Sequence, residues 1–193
     1  LAEMEVEANK VTWPLAYNLL GNDLPSIYQQ IQETNKQIID FLKKKGIKSE
    51  EISISAPNII DNEADRYNSN KQPHRYNVTS VITVTSNQVK LVRQLINEQS
   101  ELLKQGIAIT GDPYRYSVLY EYTGLNDIKP QMIETATKNA RTAAEKFAKD
   151  SDSKLGKIKK ANQGQFSISD RDVNTPHIKK VRVVTTIDYA LED

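Results

Sequence analysis

The sequence predicts an α+β protein of two fused helix-on-antiparallel-sheet units. A ferredoxin-like β-α-β-β-α-β order is followed by β-α-β-β. Three observations carry this expectation. Apolar residues recur every three or four positions in three separate segments, as on one face of a helix. Between them lie short runs that alternate apolar and polar or are rich in β-branched residues. Late in the chain, Ala136, Ala140, Ala144 and Ala148 stack every four residues into a ridge that lets a helix lie close to a sheet.

Taken in order, residues 3–17 read as an extended strand, with Met4, Val6 and Ala8 alternating against glutamates. Pro14 removes a ladder donor and so marks this strand as an edge or a strand end. A helix is expected over 24–45, with Asp23 as N-cap, Pro25 in the first turn, and Leu24, Ile27, Ile31, Ile38 and Leu42 on its inner face. Lys43, Lys44 and Lys45 suit its C-terminal end, and Gly46 closes it. Ile52, Ile54 and Ala56 alternate as a second strand, and the polar stretch 61–75 reads as a long hairpin loop. The β-branched run 76–85 is the third strand. A second helix is expected over 87–104, anchored by Val92, Leu95, Ile96, Leu102 and Leu103 and ended by Gly106, with Ile107 and Ile109 opening a fourth strand.

Tyr114, Tyr116, Val118, Tyr120 and Tyr122 then alternate along one face of a strand. The alanine-ridge segment, 126–160, follows as the third helix. Met132, Ile133, Ala143 and Phe147 widen its apolar face, and Leu155-Gly156 ends it. Strands over 158–169 and 181–191, joined by a turn at 170–176, complete the chain. The expected domains are 1–111 and 112–193.

Composition narrows the function. With 38% hydrophobic and 26% charged residues the chain can bury a core and is not globally disordered. Lys and Arg number 26 against 25 Asp and Glu, which lacks the basic excess of a nucleic-acid binder. There is no cysteine, which excludes disulfides, thiolate metal sites and cysteine nucleophiles. No run of about 18 apolar residues is present, so no membrane span is expected in this segment. The chain opens at Leu1 directly into a strand-like pattern, so an upstream signal peptide or membrane anchor is expected to have been removed.

Candidate chemistry is sparse. Asp61, Glu63 and Asp65 alternate as they would around Ca²⁺, but Arg66 stands where an EF-hand loop needs glycine and Gln72 where it needs glutamate. A solvated hairpin tip is the favoured reading. His74 and His177 each follow a proline, without further zinc ligands at a suitable spacing. No phosphate-binding glycine loop and no nucleophile elbow is present. Asn77-Val78-Thr79 spells a glycosylation sequon inside an expected strand. Lys157, Lys159 and Lys160, with Lys179 and Lys180, form local basic clusters read as solvated faces. Tyr114, Tyr116, Tyr120 and Tyr122 are the candidate interaction surface, for a partner, a peptide or a glycan, against the plainer reading that they pack under a helix. No catalytic, metal or cofactor-binding residue is assigned, and no cofactor is expected.

Several segments together resemble one family. They are FLKKKGIKSEEISIS (41–55), RYNVTSVITVT (75–85), QVKLVRQLINEQSELLKQGI (88–107), ATKNARTAAEKFAKDSDSKLGKI (136–158) and VRVVTTIDYAL (181–191). In this order they resemble the SIMPL family, also called DUF541, of mostly exported bacterial proteins. The junction Asp150–Ser153 is more polar than that family's usual Ala-Arg or Ala-Lys run into Leu-Gly. The resemblance implies an α+β fold, a periplasmic or otherwise exported location, and in some members self-assembly into rings. It supplies no catalytic residues to carry over. The expectation is therefore a non-enzymatic cell-envelope protein that forms a homo-oligomer. The alternatives are a ligand- or peptide-binding module using the Tyr114–Tyr122 strand face, or an enzyme whose site the sequence does not display.

Overall fold

The computed structural model describes residues 1–64 and 71–192. It has the α+β class expected, with antiparallel pairing throughout β1–β9, β8–β9, β7–β10, β2–β5, β3–β5 and β4–β5. The strands are β1 (Ala2–Glu7), β2 (Lys10–Gly21), β3 (Ile52–Ile54), β4 (Asn58–Asp61), β5 (Tyr76–Ser86), β6 (Leu119–Glu121), β7 (Lys154–Gln163), β8 (Ser167–Asp170), β9 (Ile178–Val183) and β10 (Thr185–Glu192). The helices are α1 (Leu24–Lys44), α2 (Val89–Glu98), α3 (Ser100–Lys104) and α4 (Leu125–Asp150). By Cα proximity the chain divides into residues 10–120 and a second unit made of 1–9 with 121–193. This differs from the expected division at 111, because β1 pairs with β9 near the other end of the chain.

The expected single strand 3–17 is two strands, and the sequence contains the reason. In β1 the inward residues are the even-numbered Ala2, Met4 and Val6, whereas in β2 they are the odd-numbered Val11, Trp13, Leu15 and Tyr17. The period-2 pattern slips by one residue at Ala8–Lys10, so the buried set passes from even to odd positions between the two strands. Asn9 holds this corner. Its N–H donates to Glu121 O at 2.9 Å, and its Oδ1 accepts from Thr123 N at 2.9 Å.

In the unit of residues 10–120 the strand order is β3-β5-β2-β6, with β4 also paired to β5. β2 is therefore interior, and the edge expected from Pro14 is not found there. Thr110 N donates to Ala16 O, so the even residues of β2 direct their backbone groups away from β5. Pro14 shares that parity, and its missing N–H falls on the flank that, among the described residues, pairs with Thr110 and the three-residue β6. Helices α1 and α2 cover one face, burying Val11, Trp13, Leu15, Ile38, Leu42, Ile82, Val84, Val92, Leu95 and Leu102. The expected helix 87–104 is interrupted at Gln99 into α2 and α3, and 107–110 form no strand.

Three of the four helices, α1, α3 and α4, end in the same way. The amides of Ile47, Ile107 and Ser153 return to the carbonyls of Leu42, Leu102 and Ala148 at 3.0, 3.0 and 2.9 Å. The residue before each amide has positive φ: Gly46 (105°), Gly106 (80°) and Asp152 (54°). The third closure uses aspartate where the first two use glycine. The helix thus stops at Asp150, and Leu155-Gly156 lies inside β7 instead of ending the helix as expected.

In the other unit, α4 packs its alanine ridge inward. Ala136 and Ala148 are buried and Ala140 and Ala144 half-buried, beside Met132, Val181 and Val183. Ile133, Ala143 and Phe147 do not widen this face as expected; they are exposed, Phe147 at 76%. The two expected closing strands are each divided, giving a three-stranded sheet β1-β9-β8 and a two-stranded ribbon β10-β7. The division is a bulge. Gln163 faces Thr185 and Ser167 faces Arg182, so three residues on one side oppose two on the other. Gly164 N donates to Val184 O at 2.8 Å, and a Cβ on Gly164 would lie 2.5 Å from that oxygen, which is why glycine stands at the corner.

Candidate functional site

The tyrosines do not share one strand face. The strand there is only Leu119–Glu121. Tyr114 and Tyr116 belong to a turn whose amides are gathered by Asp112: Oδ1 accepts from Tyr114 N at 2.9 Å, and its carbonyl accepts from Tyr116 N at 3.0 Å. Tyr114 is 96% exposed, so its ring is presented to solvent from a hydrogen-bonded turn. Tyr120 packs against the core under α2, and burial pushes its hydroxyl pKa up against the opposing effect of Arg93. Tyr122 donates to Gly124 O at 3.1 Å. Strand alternation places every second side chain on one face only while the strand lasts, and this one lasts three residues.

Asp61 is already engaged. Its carboxylate accepts Arg75 Nη2 at 3.0 Å, Arg75 Nε at 3.2 Å and Glu63 N at 3.0 Å. The Arg75 guanidinium holds the Asp61 pKa below the usual carboxylate range, and burial only partly offsets it. Asp65 lies outside the described residues. Among the described residues no three His, Asp or Glu side chains gather as a metal site. His74 and His177 sit in different units, each just before a strand, and His177 O accepts from Ala8 N at 2.8 Å. The sequon is built into the sheet: Asn77 is half-buried, and Thr79 Oγ1 donates to Asn18 Oδ1 at 2.7 Å. The lysine clusters part company. Lys157, Lys159 and Lys160 are exposed on β7, whereas Lys179 is buried and ion-paired with Asp170.

Two features stand out beyond these residues, although the sequence had already marked the N-terminal strand as an edge. The first is a set of open strand edges. β1 lies at the edge of its sheet, and both strands of the β7–β10 ribbon have one unpaired side among the described residues. Two of the three glutamates of β1 lean on arginines, Glu3 on Arg182 of β9 at 3.7 Å and Glu5 on Arg171 just after β8 at 3.6 Å. The second is a concavity of about 210 Å³ lined by Leu20, Asn62, Gln72, Pro73, His74 and Asn77. Register places Leu20 and Ile60 on either side of Asn77, a juxtaposition that the linear sequence does not display. Three of its residues had drawn notice in the sequence for other reasons: Gln72 against the EF-hand pattern, His74 after a proline, and Asn77 in the sequon.

No curated protein matches the chain. A family model does, over residues 1–185, and its description is SIMPL, protein of unknown function (DUF541). The segments that resembled the family lie along most of this span, from the glycine closing α1 to the paired strands at the end. The chain belongs to the SIMPL (DUF541) family.

Proposed function

We propose that this chain is a non-enzymatic protein of the bacterial cell envelope that assembles with itself. The observation that carries the reading is the exposed edge of β1. An edge strand offers a row of unpaired backbone donors and acceptors that a second copy satisfies by strand addition. Two of the three glutamates of β1, Glu3 and Glu5, do not oppose such pairing by unmatched charge, and Glu7 stands exposed at the strand's end. Glu3 has Arg182 of β9 as partner and Glu5 has Arg171 just after β8, and Met4 and Val6 point inward toward α4. The exported location rests on the family resemblance drawn from the sequence.

Light scattering at micromolar concentration tests the assembly. The expected result is a mass that is a multiple of 21.9 kDa; a strictly monomeric mass overturns it. Fractionation of the native host tests the location, with the protein expected in the envelope fraction and not in the cytosol. Turnover of ester or phosphoester substrates by the purified protein would overturn the non-enzymatic part.

A further inference from the structure

We propose that the concavity between the end of β2 and the start of β5 binds a small neutral polyol, of the size of one sugar ring. Among the described residues the walls are Leu20, Asn62, Gln72, Pro73, His74 and Asn77, and none of these carries a permanent charge. Of the charges beside these residues in sequence, Asp61 and Arg75 are committed to each other at 3.0 Å, Glu63 approaches Arg75 at 3.4 Å, and Lys71 is exposed. Among these neutral walls a charged ligand would give up more hydration than a hydroxyl-bearing one. Each carboxamide of Asn62, Gln72 and Asn77 offers both a donor and an acceptor, which matches a hydroxyl that both donates and accepts. Leu20 and Pro73 supply an apolar wall for the C–H side of a ring, and Leu20 is 55% exposed with no such cover of its own. At about 210 Å³ the space is smaller than that of drug-sized ligand pockets, which limits the occupant to a small molecule.

Two atoms point to an occupant. His74 Nδ1 and Asn77 Oδ1 are both buried, and neither has a hydrogen-bond partner. Buried polar atoms are almost always partnered, so two such orphans in one wall call for an explanation. Both belong to groups that swivel about a terminal torsion, so an entering hydroxyl reaches them by turning the imidazole and the carboxamide. The backbone behind them is fixed. Asn77 is paired to Leu20 on one side and Ile60 on the other. His74 O accepts from Asn62 Nδ2 at 2.9 Å, Asn62 N donates to Arg75 O at 2.8 Å, and Arg75 N donates to Asn22 Oδ1 at 2.8 Å. The frame is thus set before any ligand arrives.

The chain has two histidines, so a His177→Gln variant assigns the ring signals of His74 in an NMR spectrum. Glucose, maltose and inorganic phosphate are titrated while the His74 ring and Asn77 carboxamide signals are followed. A saturable shift with glucose is expected, weakened about tenfold or more in Asn77→Val and in Gln72→Ala. The second variant lies outside the sheet and keeps the test valid if the first fails to fold. Maltose binding as well as glucose assigns the site to the end of a glycan, and maltose excluded assigns it to a free sugar. The proposal is overturned if glucose gives no saturable shift, if phosphate moves the same signals as strongly, or if Gln72→Ala binds like the parent.

Discussion

Glu51 ties the end of α1's following turn to the start of α2. Its carboxylate accepts Lys48 N at 2.8 Å, Ser86 Oγ at 2.5 Å and Gln88 Nε2 at 3.3 Å. Burial pushes its pKa up, but the hydrogen bonds from Ser86, the Lys48 amide and Gln88 together outweigh it and hold the pKa below the ordinary glutamate value. A carboxyl depressed in the folded state stabilises the fold above its unfolded pKa and loses that contribution as pH falls through the folded one. Glu51→Gln is therefore expected to be less stable than the parent at pH 7, by about 1 kcal/mol after solvent screening. The gap should close as the pH is lowered through and below the carboxylate range. Urea midpoints of both proteins at neutral and acid pH check this, and a gap that stays constant with pH would contradict it.

At the scale of elements, α4 separates two kinds of apolar residue that look alike in sequence. Ala136 is fully buried against the sheet of β1 and β9, so Ala136→Leu is expected to overpack the contact and cost about 1–3 kcal/mol. Phe147→Ala on the exposed side is expected to stay within about 0.5 kcal/mol of the parent, measured by urea unfolding. The ridge was legible because small residues at i and i+4 have one physical use, close approach. Phe147 misled because hydrophobicity alone does not say on which side of a helix a flanking residue falls. The paired Gly-Ile closures of α1 and α3 were legible through glycine, whereas Asp152 takes the same left-handed position without it, so the end of α4 was misplaced. The change of alternation phase at Ala8–Lys10 was written in the sequence, but it takes its meaning only from β1 pairing with β9. The tyrosine alternation had no such pairing to sustain it, and β6 stops after three residues. The orphaned atoms of His74 and Asn77 depend on register between β2, β5 and β4 and have no sequence signature.

At the scale of the whole chain, residues 10–120 leave and rejoin the other unit at one point. Asn9 and Glu121 are hydrogen-bonded through their backbones at 2.9 Å, and β1 belongs to the sheet formed with β9 and β8. Segments whose ends lie close together are the ones a domain tolerates as insertions. Replacing 10–120 by a short Gly-containing turn is expected to leave a folded unit that retains the β1–β9 pairing and unfolds cooperatively. A chain that shows no cooperative transition would contradict the nested arrangement. Self-assembly belongs to the same scale, because a strand whose one partner among the described residues comes from the far end of the chain keeps its other side for a second copy. The most direct test is amide hydrogen exchange over residues 2–7, at a dilute concentration and at one that favours association. Strand addition predicts that the outward amides of β1 slow markedly on concentration while the interior amides of β5 do not change. Equal exchange of β1 at both concentrations would contradict it.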